Sequence, residues 1–176
     1  MAVKLVVLKS GENIISEIKE GYFENNSPRE TLAIHGFLGE LYIQIGRFDL
    51  AKESLNKSLS LAIQYKDIFA EAGIYKNLAL LEFKSSNSKA ALENIDTALL
   101  YTNSMRDTMY SRSVRTGFSV GTIREFSKKK IDILYSLFNT TGNGDYIDQA
   151  FEVMERIKAV ELVEIISDIG LNLELS

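Results

Sequence analysis

Seven positions of this chain, His35, Leu38, Gly39, Ala51, Leu55, Ser58 and Leu59, are matched forty residues later by Tyr75, Leu78, Ala79, Ala91, Ile95, Ala98 and Leu99. A period of that size describes one supersecondary unit, which buries its apolar face only by stacking on a neighbour. The first copy, residues 32–61, reads as two helices. Ser27-Pro28-Arg29-Glu30 supplies a start: serine caps a free amide, proline takes the first helical position, and the glutamate three residues on closes the box. That helix is expected to run to Ile45, stop at Gly46 and restart at Arg47 or Phe48, a turn short enough to force an antiparallel neighbour. The partner should run to about Lys66, and the second pair should turn at Ser85-Ser86-Asn87-Ser88.

Composition agrees with helices. Proline costs about 3 kcal/mol inside a helix, and the 176 residues contain one, while 45% of them are hydrophobic. The length suits one domain or a short stack of repeats. A net charge of -4 lacks the basic field that phosphates require, which argues against a nucleic-acid partner. Cysteine is absent, so disulfides, thiolate zinc sites and a cysteine nucleophile are excluded from this sequence. Residues 1–8 are interrupted by Lys4 and precede no small-residue cleavage site, and no apolar run reaches the roughly 20 residues of a membrane span. No membrane contact is expected, and the cytoplasm is the default location.

At the start of the chain, residues 3–8 read as a strand and Lys9-Ser10-Gly11-Glu12 as a turn. Ile14, Ile15 and Ile18 fit either a second strand or a helical face. Beyond Tyr101 the register loosens. Residues 103–130 carry Arg106, Arg112, Arg115, Arg124, Lys128, Lys129 and Lys130 against Asp107 and Glu125, and Gly117 and Gly121 interrupt them. A long helix bent near those glycines is expected. Ile131 to Phe138 resume an apolar face, Thr140 to Gly144 form a turn, and Asp145 or Tyr146 opens a last helix.

The repeat offsets resemble the tetratricopeptide repeat (TPR) family. Leu38-Gly39, Tyr42, Gly46, Phe48, Ala51, Leu55 and Leu59 fall where that family has its signature residues. Small residues at Gly39, Ala51 and Ser58 would let two helices approach, with Leu38, Tyr42, Phe48 and Leu55 filling the space around them. Departures are His35 where the family often has tryptophan, Glu82 where it has an aromatic, and no closing proline. Residues 150–166 are similar to the helix that joins TPR arrays to CHAT (caspase-like) domains, through Ala150-Phe151, Glu155-Arg156, Lys158-Ala159 and Leu162. The expected fold is therefore mainly all-α, a TPR-like antiparallel helical-hairpin solenoid with a short β-like N-terminal segment. Its expected parts are residues 1–26, two hairpins over 27–106, a divergent third pair over 107–170 resembling the TPR-to-CHAT junction, and a tail over 171–176.

Chemistry-bearing groups are sparse. His35, at a core-facing offset, reads as a packed side chain. The carboxylates of the last helix read as a solvated face in which Glu152 pairs with Arg156 and Glu161 with neighbouring bases. No Glu-x-x-His motif accompanies them, and the Thr140 to Gly144 turn lacks the Lys-Ser or Lys-Thr of a phosphate loop. No catalytic residue, metal ligand or cofactor is expected. The TPR resemblance implies a partner groove lined by the first helix of each pair, here Gly36, Glu40, Ile43 and Gln44, then Lys76, Asn77, Leu80, Phe83 and Lys84. Its lysines would hold a peptide carboxylate and its apolar residues would take side chains. A basic surface of Arg112, Arg115, Arg124 and Lys128 would face an acidic peptide or the acidic last helix of the same chain.

The leading expectation is a non-enzymatic scaffold for a protein or peptide, which the second resemblance would make the recognition part of a CHAT-type system. Two alternatives stand beside it: the regulatory front of a CHAT-type peptidase whose catalytic part lies outside this sequence, and a peptide-pheromone regulator. Uncapped repeat ends would favour self-association.

Overall fold

The structure, a computed structural model, describes the backbone of residues 13–16, 27–108 and 112–174 and the side chains of 13–16, 27–105, 121–163, 165 and 166. Among the described residues six long helices follow one another: α1 (Pro28–Gln44), α2 (Phe48–Tyr65), α3 (Ile68–Lys84), α4 (Ser88–Thr108), α5 (Arg112–Thr141) and α6 (Asp145–Glu174). No strand occurs among the described residues, and the expected strand over 3–8 lies outside them. Residues 13–16, open to either reading from sequence, are helical, and Ile15 is buried in the core of the helices that follow.

The start of α1 is the one its sequence specifies. Ser27 Oγ accepts from the Glu30 amide at 3.4 Å, and the Glu30 carboxylate accepts from the Ser27 amide at 2.7 Å. That amide, then the serine hydroxyl, holds the Glu30 carboxyl below its ordinary value. Pro28 occupies the first helical position, where its missing N–H costs nothing.

The next three turns are one turn repeated. Each helix closes with an N–H that donates three residues back and a following N–H that donates five residues back. These are Gly46 to Ile43 (3.2 Å) with Arg47 to Tyr42 (2.8 Å), Lys66 to Ile63 (3.1 Å) with Asp67 to Ala62 (2.9 Å), and Ser86 to Phe83 (3.1 Å) with Asn87 to Glu82 (2.8 Å). This double bond satisfies carbonyls that a helix end otherwise leaves open, and it requires a left-handed residue. Gly46, Lys66 and Ser86 supply it with φ of 76°, 53° and 64°. The three lie twenty residues apart, half the sequence period, because each period holds two helices. Asp67 then caps α3 by accepting from the Ala70 amide at 3.0 Å.

The chain divides into two compact units, Met1–Asn87 and Ser88–Ser176. In the first, α1 packs along α2, α2 along α3, and α1 also touches α3. Leu38, Ala51, Leu55 and Ser58 are at most 1% exposed. A Cβ on Gly39 would come 2.5 Å from Leu55 Cδ2, so it is the missing side chain at Gly39 that lets Leu55 of α2 pack against α1. Ser58, fully buried, returns its hydroxyl to the Leu32 carbonyl at 2.8 Å. Leu41, Tyr42, Ile74, Leu78 and Leu81 belong to the same core.

In the second unit α5 packs along both α4 and α6. The single helix expected over 103–130 is corrected: α4 continues through Asn103 to Thr108, and α5 begins at Arg112. The apolar stripe of α4 explains the extension. Ala98, Thr102 and Met105 are 0%, 1% and 6% exposed, and Thr102 bonds its hydroxyl back to the Ala98 carbonyl at 2.8 Å. Gly117 and Gly121 both lie in the helical backbone of α5. The second expected hairpin is shared between the units, with its first helix, α3, in one and its second, α4, in the other.

Candidate binding surface

Of the positions assigned to a groove on α1, two belong to the hairpin interior. Ile43 is 1% exposed and part of the core, and a Cβ on Gly36 would meet Ser58 Oγ at 3.3 Å. The reason is helical geometry: residues 36, 39 and 43 form one stripe, and Gly39 fixes that stripe against α2. Ile43 is therefore a core residue and not a groove wall.

Glu40 and Gln44 do reach the surface, half-buried and exposed respectively. Phe37, which the sequence reading passed over, lies on their stripe at 51% exposure. Its signal was available, because 37, 40 and 44 keep the same i, i+3, i+7 spacing as the interior stripe, rotated outward.

On α3 the assigned positions differ in burial. Lys84 is exposed, while Lys76, Leu80 and Phe83 are half-buried, and Leu80 leans on the core of the first unit. Asn77 is only 8% exposed, and its Oδ1 accepts no hydrogen bond from any described residue. A buried amide oxygen left open costs about 1–3 kcal/mol, so this position carries a polar group at the expense of stability. Glu82, unusual at its repeat position, has a local task. It accepts from Lys52 Nζ of α2 at 3.0 Å and from Asn87 Nδ2 in the following turn at 2.9 Å.

The basic segment is partly neutralised within the second unit. Arg124 Nε donates to Glu161 Oε1 of α6 at 2.7 Å, and Lys130 Nζ pairs with Asp96 of α4 at 2.7 Å. Basic α5 thus meets acidic partners on both flanking helices: the pair with α6 joins it to the last helix, as expected, and Asp96 of α4 was not anticipated. Lys128 is exposed on α5, and the side chains of Arg112 and Arg115 lie outside the described residues. Along α6, Glu155 pairs with Lys158 at 2.7 Å, while Arg156 turns toward a cleft between helices.

His35 is half-buried. Loss of solvent, and then the nearby Lys57 charge, push its imidazole below the ordinary value, with Glu53 opposing. It stays neutral at pH 7, as a packing residue would. No helix among the described residues is long and apolar enough to cross a membrane. No protein-family model, curated protein or solved structure matches the chain.

Proposed function

We propose that this chain is a TPR-like scaffold that binds a protein or peptide segment and catalyses no reaction. One observation carries the reading: the same hydrogen-bonded turn closes α1, α2 and α3 at twenty-residue spacing. Repeated helix–turn units stack nearest neighbours and leave long, regular outer faces, which such proteins use for binding. The face with the most to offer a ligand combines Phe37, Glu40 and Gln44 of α1 with Lys76, Asn77, Leu80, Phe83 and Lys84 of α3. Two lysine ammoniums attract a carboxylate, and aromatic and aliphatic surface takes apolar side chains.

The test is capture of a partner from the native cell with the wild-type chain and with the Lys76→Glu/Lys84→Glu variant. The reading expects a partner held by the first and lost by the second, with far-ultraviolet circular dichroism unchanged. Equal capture by both removes this face from the account.

A second reading draws on α6, where Leu162, Val163, Ile165 and Ile166 are each more than half exposed. Such a run suits a helix that seats a further domain, here the junction to a CHAT-type effector. Translation of the coding sequence beyond Ser176 tests it: an in-frame histidine- and cysteine-bearing domain supports it, and a stop codon ends it.

A further inference from the structure

The second unit contains a cleft of 510 Å³ that the peptide-binding reading does not use. It arises from the packing order. Helix α5 runs between α4 and α6, and at one end Leu92, Leu134, Ala150 and Val153 draw the three helices around a small core. Further along, Ile123, Ser127 and Lys130, one stripe of α5, form the floor of an opening walled by α4 and α6. Its volume falls within the roughly 300–1,000 Å³ of small-molecule sites.

The lining is two-sided in chemistry. Leu99, Ile123, Val153 and Val160 give an apolar wall. Five polar side chains share the cleft: Asp96, Asn103, Ser127, Lys130 and Arg156. Lys130, 19% exposed at its side chain, is held by Asp96 at 2.7 Å. Asn103, Ser127 and Arg156 form no hydrogen bond or ion pair with any described residue. Ser127 is 5% exposed as a residue, and it lines the cleft. A mid-helix serine ordinarily bonds back to a carbonyl of the preceding turn, and this one does not. Hydroxyl, amide and guanidinium all donate, and two cations against one carboxylate leave one positive charge in excess.

We infer that this cleft binds a small amphipathic monoanion, a carboxylate-headed molecule with an aliphatic body. The carboxylate sits between Arg156 and Lys130, accepting from Ser127 and Asn103, and the chain lies on the Leu99, Ile123, Val153 and Val160 wall. Arg156 dominates because its charge is uncommitted and its planar fork matches a carboxylate. The site lies wholly in residues 96–160, so it stands or falls independently of the peptide face on α1 and α3.

Decanoate is the probe, with decan-1-ol as the uncharged control of equal chain length. Both are titrated into the full ¹⁵N-labelled chain below the micellar range, with affinity from calorimetry and location from amide shifts. Decanoate should bind one site per chain and shift amides in 96–103, 123–130 and 153–160, with decan-1-ol at least about tenfold weaker. Arg156 is exposed, so Arg156→Ala should leave the thermal midpoint unchanged and weaken decanoate about tenfold, and Arg156→Lys should restore part of the loss. Absence of binding, equal binding of the alcohol, undiminished binding by Arg156→Ala, or shifts confined to residues 27–87 would overturn the proposal.

Discussion

Gly39 and Gly73 both sit inside helices, yet alanine at the two positions should have opposite effects. A Cβ on Gly39 would come 2.5 Å from Leu55 Cδ2 and 2.6 Å from its Cγ, and Leu55 is fully buried. Gly39→Ala is expected to cost about 1–3 kcal/mol through overpacking. Gly73 has nothing within 4 Å of its Cβ position, so Gly73→Ala should gain up to about 1 kcal/mol from lower unfolded-chain freedom. Urea unfolding of the two variants measures both signs. The role of Gly39 was legible because the same register position holds another small residue, Ala79, forty residues on; Gly73 follows no such pattern. His35 gives a second test. Its folded value lies below the ordinary 6.5, so the unfolded chain binds more protons as pH falls through that value. Stability is then full above about 6.5 and declines on acidification toward the folded value. The thermal midpoint should fall less between pH 7 and pH 5 in His35→Gln than in the wild type, and an identical fall would deny His35 this role.

At the scale of elements, the turns were the most legible feature and also concealed most. Ends at Gly46, near Lys66 and at Ser85 to Ser88 were all expected from sequence, but the left-handed conformation of Lys66 and Ser86 is one that no glycine marks. Residues other than glycine pay about 1–2 kcal/mol there, which glycine relieves at the cost of its own greater unfolded freedom. Lys66→Gly and Ser86→Gly are each expected to raise stability by up to about 1 kcal/mol, read as a higher urea midpoint with an unchanged slope. Gly46→Ala should do the reverse. The break between α4 and α5 was missed for a related reason. A run of basic residues fixes charge, not helix ends, and the continuing stripe of Ala98, Thr102 and Met105 contains a threonine whose burial rests on a bond to its own helix.

At the scale of the whole molecule, hydrophobic pattern and turn chemistry fixed the helical class and the hairpin between α1 and α2. They could not say how much surface each helix leaves open. Helix α1 packs along α2 and also touches α3, so its apolar Ile43 is core, and beyond its first turn the exposed side chains lie on the stripe of Ala33, Phe37, Glu40 and Gln44. Binary pattern marks residues as apolar without naming the neighbour that covers them. The central claim, a peptide-binding face on α1 and α3, is tested most directly by amide shifts in the labelled chain on titration with the interacting peptide of a captured partner. The account predicts shifts centred on Phe37, Glu40, Lys76, Asn77, Leu80 and Lys84, and affinity reduced at least about tenfold by Lys76→Glu/Lys84→Glu. Shifts confined to residues 88–174, or an affinity indifferent to that charge reversal, would contradict it.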